Sequence, residues 1–317
     1  MNIFNKYPFL IAEIGFDFYN LAEKYDMSDM DAARYMIDEA QQCGVDAVNF
    51  QLFNKFSAEE YRELADYCRK IGITFMSTPF DFESADYLDE FMDIYRISSS
   101  DIINIPFIKY VASKNKPILL STGASTLNEV KHAVNAIEEV STVDIAIMHS
   151  VLSYPTAYED ANLLMIKDLV ENFPQYEIGY SDHTEVDENM AVLTTAYNYG
   201  AGILEKHFTI DKTLPGTGYA MDPGDVVKFR WNVNFLSKLN GRKNKHPLIC
   251  ESSSRRQVRK SIVSKRDIKQ GEVISDNDLI FKCPGTGIYP SEIDSVVGKT
   301  ARVDISKYSI LDFDMID

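Results

Sequence analysis

Two histidines in this chain close similar apolar runs. "IGYSDHTEV" (178–186) carries Ser181 and His183, and "ILEKHFTID" (203–211) delivers His207, 24 residues after His183. Two imidazoles, completed by waters and a substrate oxygen, suit a divalent ion that keeps open positions. A single histidine of this kind is more often a hydrogen-bonded core residue. A matched pair at the ends of consecutive runs points to a metal. Glu13 closes a third such run, "FLIAEIG" (9–15), and adds a carboxylate to the set.

The elements that must position these residues repeat along the chain. β-type runs fall at 9–15, 47–53, 74–80, 94–100, 117–123, 144–150, 177–183 and 202–208, each apolar enough for a strand buried on both faces. Helical spacing fills the gaps, as in "SDMDAARYMIDEAQQCG", where Ser28 is the expected N-cap and Gly44 the expected C-cap. In "STLNEVKHAVNAIEEV" the helix should start on Ser125 or Thr126. Eight strand–helix alternations match an α/β fold of the (β/α)8 TIM-barrel type, with a doubly wound open sheet as the competing architecture.

The barrel reading explains the placement of the polar residues. Glu13, Gln51, Thr78, Ser99, Ser121, His149, Ser181, His183 and His207 all sit at C-terminal ends of the runs, where a TIM barrel carries its active site. Beyond the eighth helix the composition turns basic and polar over 239–261, and then gives short strand-like pieces ("SIVSKRDI", "DLIFKCPG", "ARVDI") separated by turns. The expected organisation is a barrel over 1–245, a linker over 246–260 and a small β-rich domain over 261–317.

Bulk properties narrow the function classes. The formal net charge of −16 argues against a nucleic-acid partner. The four cysteines (Cys43, Cys68, Cys250, Cys283) form no C-x-x-C pair, which fits a reduced cytoplasm and no structural zinc site. "FLIAEIGF" is too short, and too charged at Glu13, for a signal peptide or a membrane span.

Taken in order, "AEIG", "FQ", "STPFD", "KPILLSTGAST", "YPTAYED", "GYSDHT", "EKHFTIDKTLPG", "SKRDIKQGEVIS" and "PGTGI" resemble the sialic acid synthases and the wider nonulosonic acid synthase family. The resemblance covers nearly the whole chain. It implies a TIM barrel followed by an antifreeze-like (SAF) domain that caps the partner's barrel in a domain-swapped homodimer. It also implies condensation of phosphoenolpyruvate with an N-acylated amino sugar for surface-glycan biosynthesis, with phosphate released by C–O cleavage and Mn2+ or Mg2+ required. By position, His183 and His207 resemble the metal ligands, and Glu13 the carboxylate near the reacting carbons. Thr78, Ser99, Ser121 and Ser181 resemble the hydroxyls that hold phosphoenolpyruvate, and Asp101 a nearby acidic residue. Gln51 and Tyr154 fall where the sugar is contacted.

The departures fall at both ends of the implied site. Asp17 and Phe18 stand where the family usually has Asn-His, Asn49 where it has lysine, and Leu152 where it has a small polar residue. Arg96 replaces a phosphate-binding lysine, keeping the charge but not the shape. Gly218 and Cys283 replace a sugar-binding aspartate and arginine. Charge-assisted hydrogen bonds are worth about 1.5–3 kcal/mol each, so losses at Asn49 and Leu152 bear directly on the donor. Arg96 and Lys206 are the cations positioned in sequence to compensate. Three readings follow: a divergent synthase, a metal-dependent barrel lyase or aldolase with a changed donor, and a non-catalytic sugar- or partner-binding paralogue.

Overall fold

The computed structural model describes residues 7–15, 17–51 and 56–317. Eight parallel strands form one sheet: β1 (Phe9–Ile14), β2 (Ala47–Gln51), β3 (Thr74–Thr78), β4 (Tyr95–Ile97), β5 (Ile118–Ser121), β6 (Ile145–Ser150), β7 (Glu177–Asp182) and β8 (Ile203–His207). They run in the order β3-β2-β1-β8-β7-β6-β5-β4, and β3 and β4 lie against one another without a ladder, so the barrel is nearly closed. All eight expected runs are strands, and the open-sheet alternative is excluded by the β1–β8 pairing. The last two residues expected for the second run, 52 and 53, lie outside the described residues.

Helices alternate with the strands: α1 (Asp17–Tyr25), α2 (Asp29–Cys43), α3 (Ala58–Ile71), α4 (Phe82–Asp89), α5 (Ile105–Ala112), α6 (Leu127–Glu138), α7 (Leu164–Asn172), α8 (Ala191–Asn198) and α9 (Pro223–Asn240). Their ends follow the capping chemistry. Ser28 accepts from the Asp31 N–H, and Gly44 ends α2 with φ +98°, a left-handed conformation that glycine adopts without strain. Thr126, rather than Ser125, starts α6 and forms a capping box with Glu129. The extra helix α1, which the sequence pattern did not announce, follows β1 and begins beside the site.

The interior of the barrel is set by strand alternation. Phe9, Ile11, Ala47, Met76, Leu119, Met148 and Ile203 belong to one buried cluster at the lower levels of the barrel. Two residues further along the same faces the side chains become polar: Glu13 after Ile11, Asn49 after Ala47, Thr78 after Met76, Ser121 after Leu119 and Glu205 after Ile203. Gly179 on β7 keeps this interior closed, because a Cβ there would collide with Met148 Sδ and the Ile203 carbonyl. One periodicity thus delivers an apolar floor and a polar mouth.

A second compact unit spans Gly241–Asp317. It contains helix α10 (Ser252–Val258) and the antiparallel pair β9 (Ser261–Ser264) and β10 (Leu279–Lys282). Its core is aliphatic, built on Ile262, Ile274, Val296, Ile305 and Leu311. The third expected strand, "ARVDI", makes only isolated bridges, Ala301 to Ile316 and Ile305 to Ile268. Segment 252–258 within the expected linker is helical. Among the described residues, no helix is long and apolar enough to cross a membrane.

Candidate active site

His183 and His207 do meet. Parallel pairing sets Glu13 beside His207, and the Glu13 Oε2–His207 Nε2 separation is 3.3 Å. His183 lies one residue past β7, its carbonyl accepting from the Thr156 N–H at 2.8 Å, and its ring centroid is 5.9 Å from that of His207. Its Nδ1 is 2.7 Å from the Val151 carbonyl, which assigns the proton to Nδ1 and leaves the Nε2 lone pair open. Tyr154 and Tyr219 flank the pair, at 4.3 Å from the His183 ring and 4.8 Å from the His207 ring.

The two histidines, with Glu13 beside them, fit a divalent ion. One ligand atom from each of Glu13, His183 and His207 lies within 4.8 Å of the others, and all three residues are buried. Among the described residues, Glu13 Oε2 and His207 Nε2 are buried without a hydrogen-bond partner, a costly state for a polar atom unless a ligand completes it. Protonation also matches. Burial pushes His207 down to about 4 despite Glu13. Burial alone would raise Glu13, but His207, Arg96, His183 and the Gln51 amide outweigh it and hold Glu13 at about 2. At neutral pH the cluster therefore offers a carboxylate beside a neutral His207.

Below the histidines lies a buried polar network. Arg96 Nε and Nη2 reach Glu205 Oε2 at 2.9 and 2.8 Å, and Asn49 Nδ2 donates to Glu205 Oε1 at 2.9 Å. Thr78 Oγ1 lies 3.4 Å from Asn49 Oδ1, and Ser181 Oγ lies 3.5 Å from Arg96 Nη2. Burial opposes the Arg96 charge, but Glu205 and Glu13 overcome it and raise the guanidinium above its ordinary value. The two departures at 49 and 96 are thus joined through one carboxylate. Glu205 is the residue that sequence reasoning missed. It stands two before His207 on β8, so strand alternation alone puts both on the inner face.

The remaining expected residues divide. Gln51 donates to Glu13 Oε1 at 2.6 Å. Ser99 Oγ accepts from the Gly123 N–H at 2.9 Å and lies 3.1 Å from Ser150 Oγ. A Cβ on Gly123 would come within 2.9 Å of both hydroxyls, so glycine is required there. Ser121 Oγ is buried and unpartnered at the barrel mouth. Asp101 turns away: its Oδ1 accepts from Asn104 Nδ2 at 2.9 Å, and it lines neither of the site's cavities. Lys206 cannot compensate for a lost cation, because it points to the opposite face of β8 and is fully committed to Asp182 and the Thr184 carbonyl, each at 2.7 Å. His149 likewise lies outside the site, held by the Ala161 carbonyl at 3.0 Å and stacked on Tyr180. Gly218 faces open space, and Cys283 is exposed within the second unit.

Two adjoining cavities meet at Gln51 and Tyr154. The smaller, about 40 Å³, is lined by Glu13, Thr78, Arg96, Ser99, Leu152 and His183. The larger, about 400 Å³, is lined by Asp17, Asn20, Pro215, Tyr219 and His207. A further cavity of about 630 Å³ is lined by His149, Asp160 and Asp168, but by none of Glu13, His183 and His207, so the candidate chemistry is placed in the smaller pair.

Known proteins resemble both units of the chain. The NeuB family model matches residues 53–245, and the SAF domain model matches residues 259–317. The N,N'-diacetyllegionaminic acid synthase of Legionella pneumophila is 32% identical, over 98% of this chain and 94% of its own. The N-acetylneuraminate-9-phosphate synthase of Homo sapiens is 27% identical, over 98% and 92%. The crystal structure of N-acetylneuraminic acid synthetase from Leptospira borgpetersenii superposes with a TM-score of 0.69 at 28% identity, covering 79% of this chain and 90% of that one.

Proposed function

The chain belongs to the NeuB family, and from that premise we propose that it condenses phosphoenolpyruvate with an N-acylated amino sugar or a related aldehyde, releasing phosphate. The observation that carries this reading is the meeting of Glu13, His183 and His207 where a small cation-lined cavity joins a sugar-sized one. A divalent ion held by the two histidines, Mn2+ or Mg2+, would supply Lewis acidity toward the acceptor aldehyde.

The protein's own groups account for the rest. Thr78, Ser99 and Arg96 line the donor cavity with hydroxyls and a guanidinium suited to carboxylate and phosphate oxygens. Gln51 fixes one Glu13 oxygen, leaving the other aimed at the reacting centre. C3 of phosphoenolpyruvate bonds to the aldehyde carbon, and C2 becomes cationic. The ionised Glu13 stabilises that charge. Water adds at C2 and gives one proton to the alkoxide left on the former aldehyde oxygen. The C2–O bond to phosphate then breaks as the C2 hydroxyl passes its proton to the leaving phosphate, giving a 2-keto acid and phosphate. Tyr154 and Tyr219 form the acceptor walls.

One observation favours a second reading, a barrel lyase or aldolase with another donor: Glu205 already claims Arg96, and Asn49 adds no charge. A phosphate-release assay separates the two. Release should require phosphoenolpyruvate, one sugar of an N-acylated mannosamine and altrose panel, and Mn2+. No release, together with no heat on titrating phosphoenolpyruvate, would leave the second reading. Cytoplasmic location, the division at 245 and 261, and a domain-swapped homodimer belong to the same proposal. Sedimentation at working concentration tests the last of these.

A further inference from the structure

The acceptor cavity holds an acidic side chain that has no side-chain partner among the described residues. Asp17 is 8% exposed and lines the cavity of about 400 Å³ together with Asn20, Gln51, Tyr154 and Tyr219. Among the described residues no cation or side-chain donor reaches its carboxylate, and its only hydrogen-bond partner is its own backbone N–H. A buried carboxylate normally finds a donor, so one left open toward a cavity marks the place where a ligand supplies it. The next carboxylate along this surface, Glu13, lies behind Gln51, whose amide it holds. A carboxylate on the wall of this cavity rewards N–H and O–H groups.

Resting on the synthase reading, we infer that Asp17 is a specificity-determining residue that accepts a hydrogen bond from an amide N–H or hydroxyl of the acceptor, and that the acceptor is an uncharged sugar rather than a sugar phosphate. The choice matters because relatives of this chain are named both for an unphosphorylated product and for a 9-phosphate. Asp17 occupies the acceptor side of the site, away from the donor cavity that Arg96 lines. Above about pH 7, where Asp17 is ionised, a phosphate ester seated against it would bring a dianion to a carboxylate with no cation among the described residues to balance it.

The test compares kcat/KM for N-acetylmannosamine and its 6-phosphate, and for 2,4-diacetamido-trideoxy sugars of mannose and altrose type, in the wild type and Asp17→Asn. Phosphate release is read with Mn2+ and phosphoenolpyruvate at pH 8.5, where Asp17 is ionised. The wild type should use its best neutral sugar at least ~100-fold better than the phosphate ester. Losing one charge-assisted hydrogen bond should lower kcat/KM for that sugar by roughly 10–150-fold, mostly through KM. The ratio between neutral sugar and ester should fall with it, a change that a purely structural role for Asp17 would not produce. Preference for the ester, or a ratio unchanged in Asp17→Asn, overturns the inference and leaves the synthase reading intact. Absence of release with every sugar overturns that reading and the inference with it.

Discussion

Replacing Asp17 by asparagine should change the pH dependence of stability in a defined direction. Burial raises Asp17 from 3.8 to about 7, with only its own backbone N–H opposing the shift. Between those values the unfolded chain is ionised while the folded chain still holds the proton. The folded state therefore binds more protons, so this group's contribution is fully present below about 3.8 and is lost as pH rises through about 7. A rise of roughly three pKa units at 1.36 kcal/mol each sets a ceiling of about 4 kcal/mol. About one of those units is already lost at pH 5, which leaves about 3 kcal/mol between pH 5 and 8.5. Asparagine keeps the shape and cannot ionise. The gap in Tm between Asp17→Asn and wild type should widen in favour of the variant by roughly 6–12 °C over that interval, at about 2–4 °C per kcal/mol for a domain of this size. Thermal unfolding of the two proteins in matched buffers is the assay. Parallel Tm–pH curves would refute the reasoning, because Asp17 would then be no more buried from its counter-charges than an ordinary surface aspartate.

Other perturbations follow from the same geometry. Glu205→Ala leaves Arg96 and Asn49 buried without their acceptor, and should cost about 3–5 kcal/mol in urea denaturation. The exposed Lys269–Asp304 pair is the control, and Lys269→Ala should cost less than about 1 kcal/mol. His207→Ala should abolish the heat of Mn2+ binding in calorimetry and the thermal upshift that Mn2+ gives the wild type. Thr126→Ala removes the capping box at the start of α6 and should lower stability by about 1 kcal/mol.

Much of this molecule is legible in its sequence, and the exceptions have physical causes. The strands are buried on both faces, so each is a short apolar run, and the runs end where the barrel opens. The site residues stand out because polar side chains at those ends break the apolar pattern, as at Glu13, His183 and His207. What a run does not display is which face each residue takes until the register is known. Glu205 was hidden inside an apolar body, and Lys206 looked available until β8 placed it opposite His207. Asp101 is governed by a turn, where its contact with Asn104 decides its direction. Helix α1 carries Phe18, Leu21 and Ala22 into the core, but it is a short stripe directly after a strand, and Asp17 and Asn20 in its first turn face the pocket. The resemblance marked positions 49 and 96 as departures one by one; only the fold shows that Glu205 joins them.

Condensation of phosphoenolpyruvate with cleavage of its C–O bond can be followed with phosphoenolpyruvate carrying 18O in the bridging oxygen. The enzyme would turn over the active acceptor with Mn2+, and the products would be read by mass spectrometry. Phosphate that retains the label, together with a 2-keto acid three carbons longer than the sugar, is the expected result. Unlabelled phosphate, or phosphate formed without the extended acid, would contradict it.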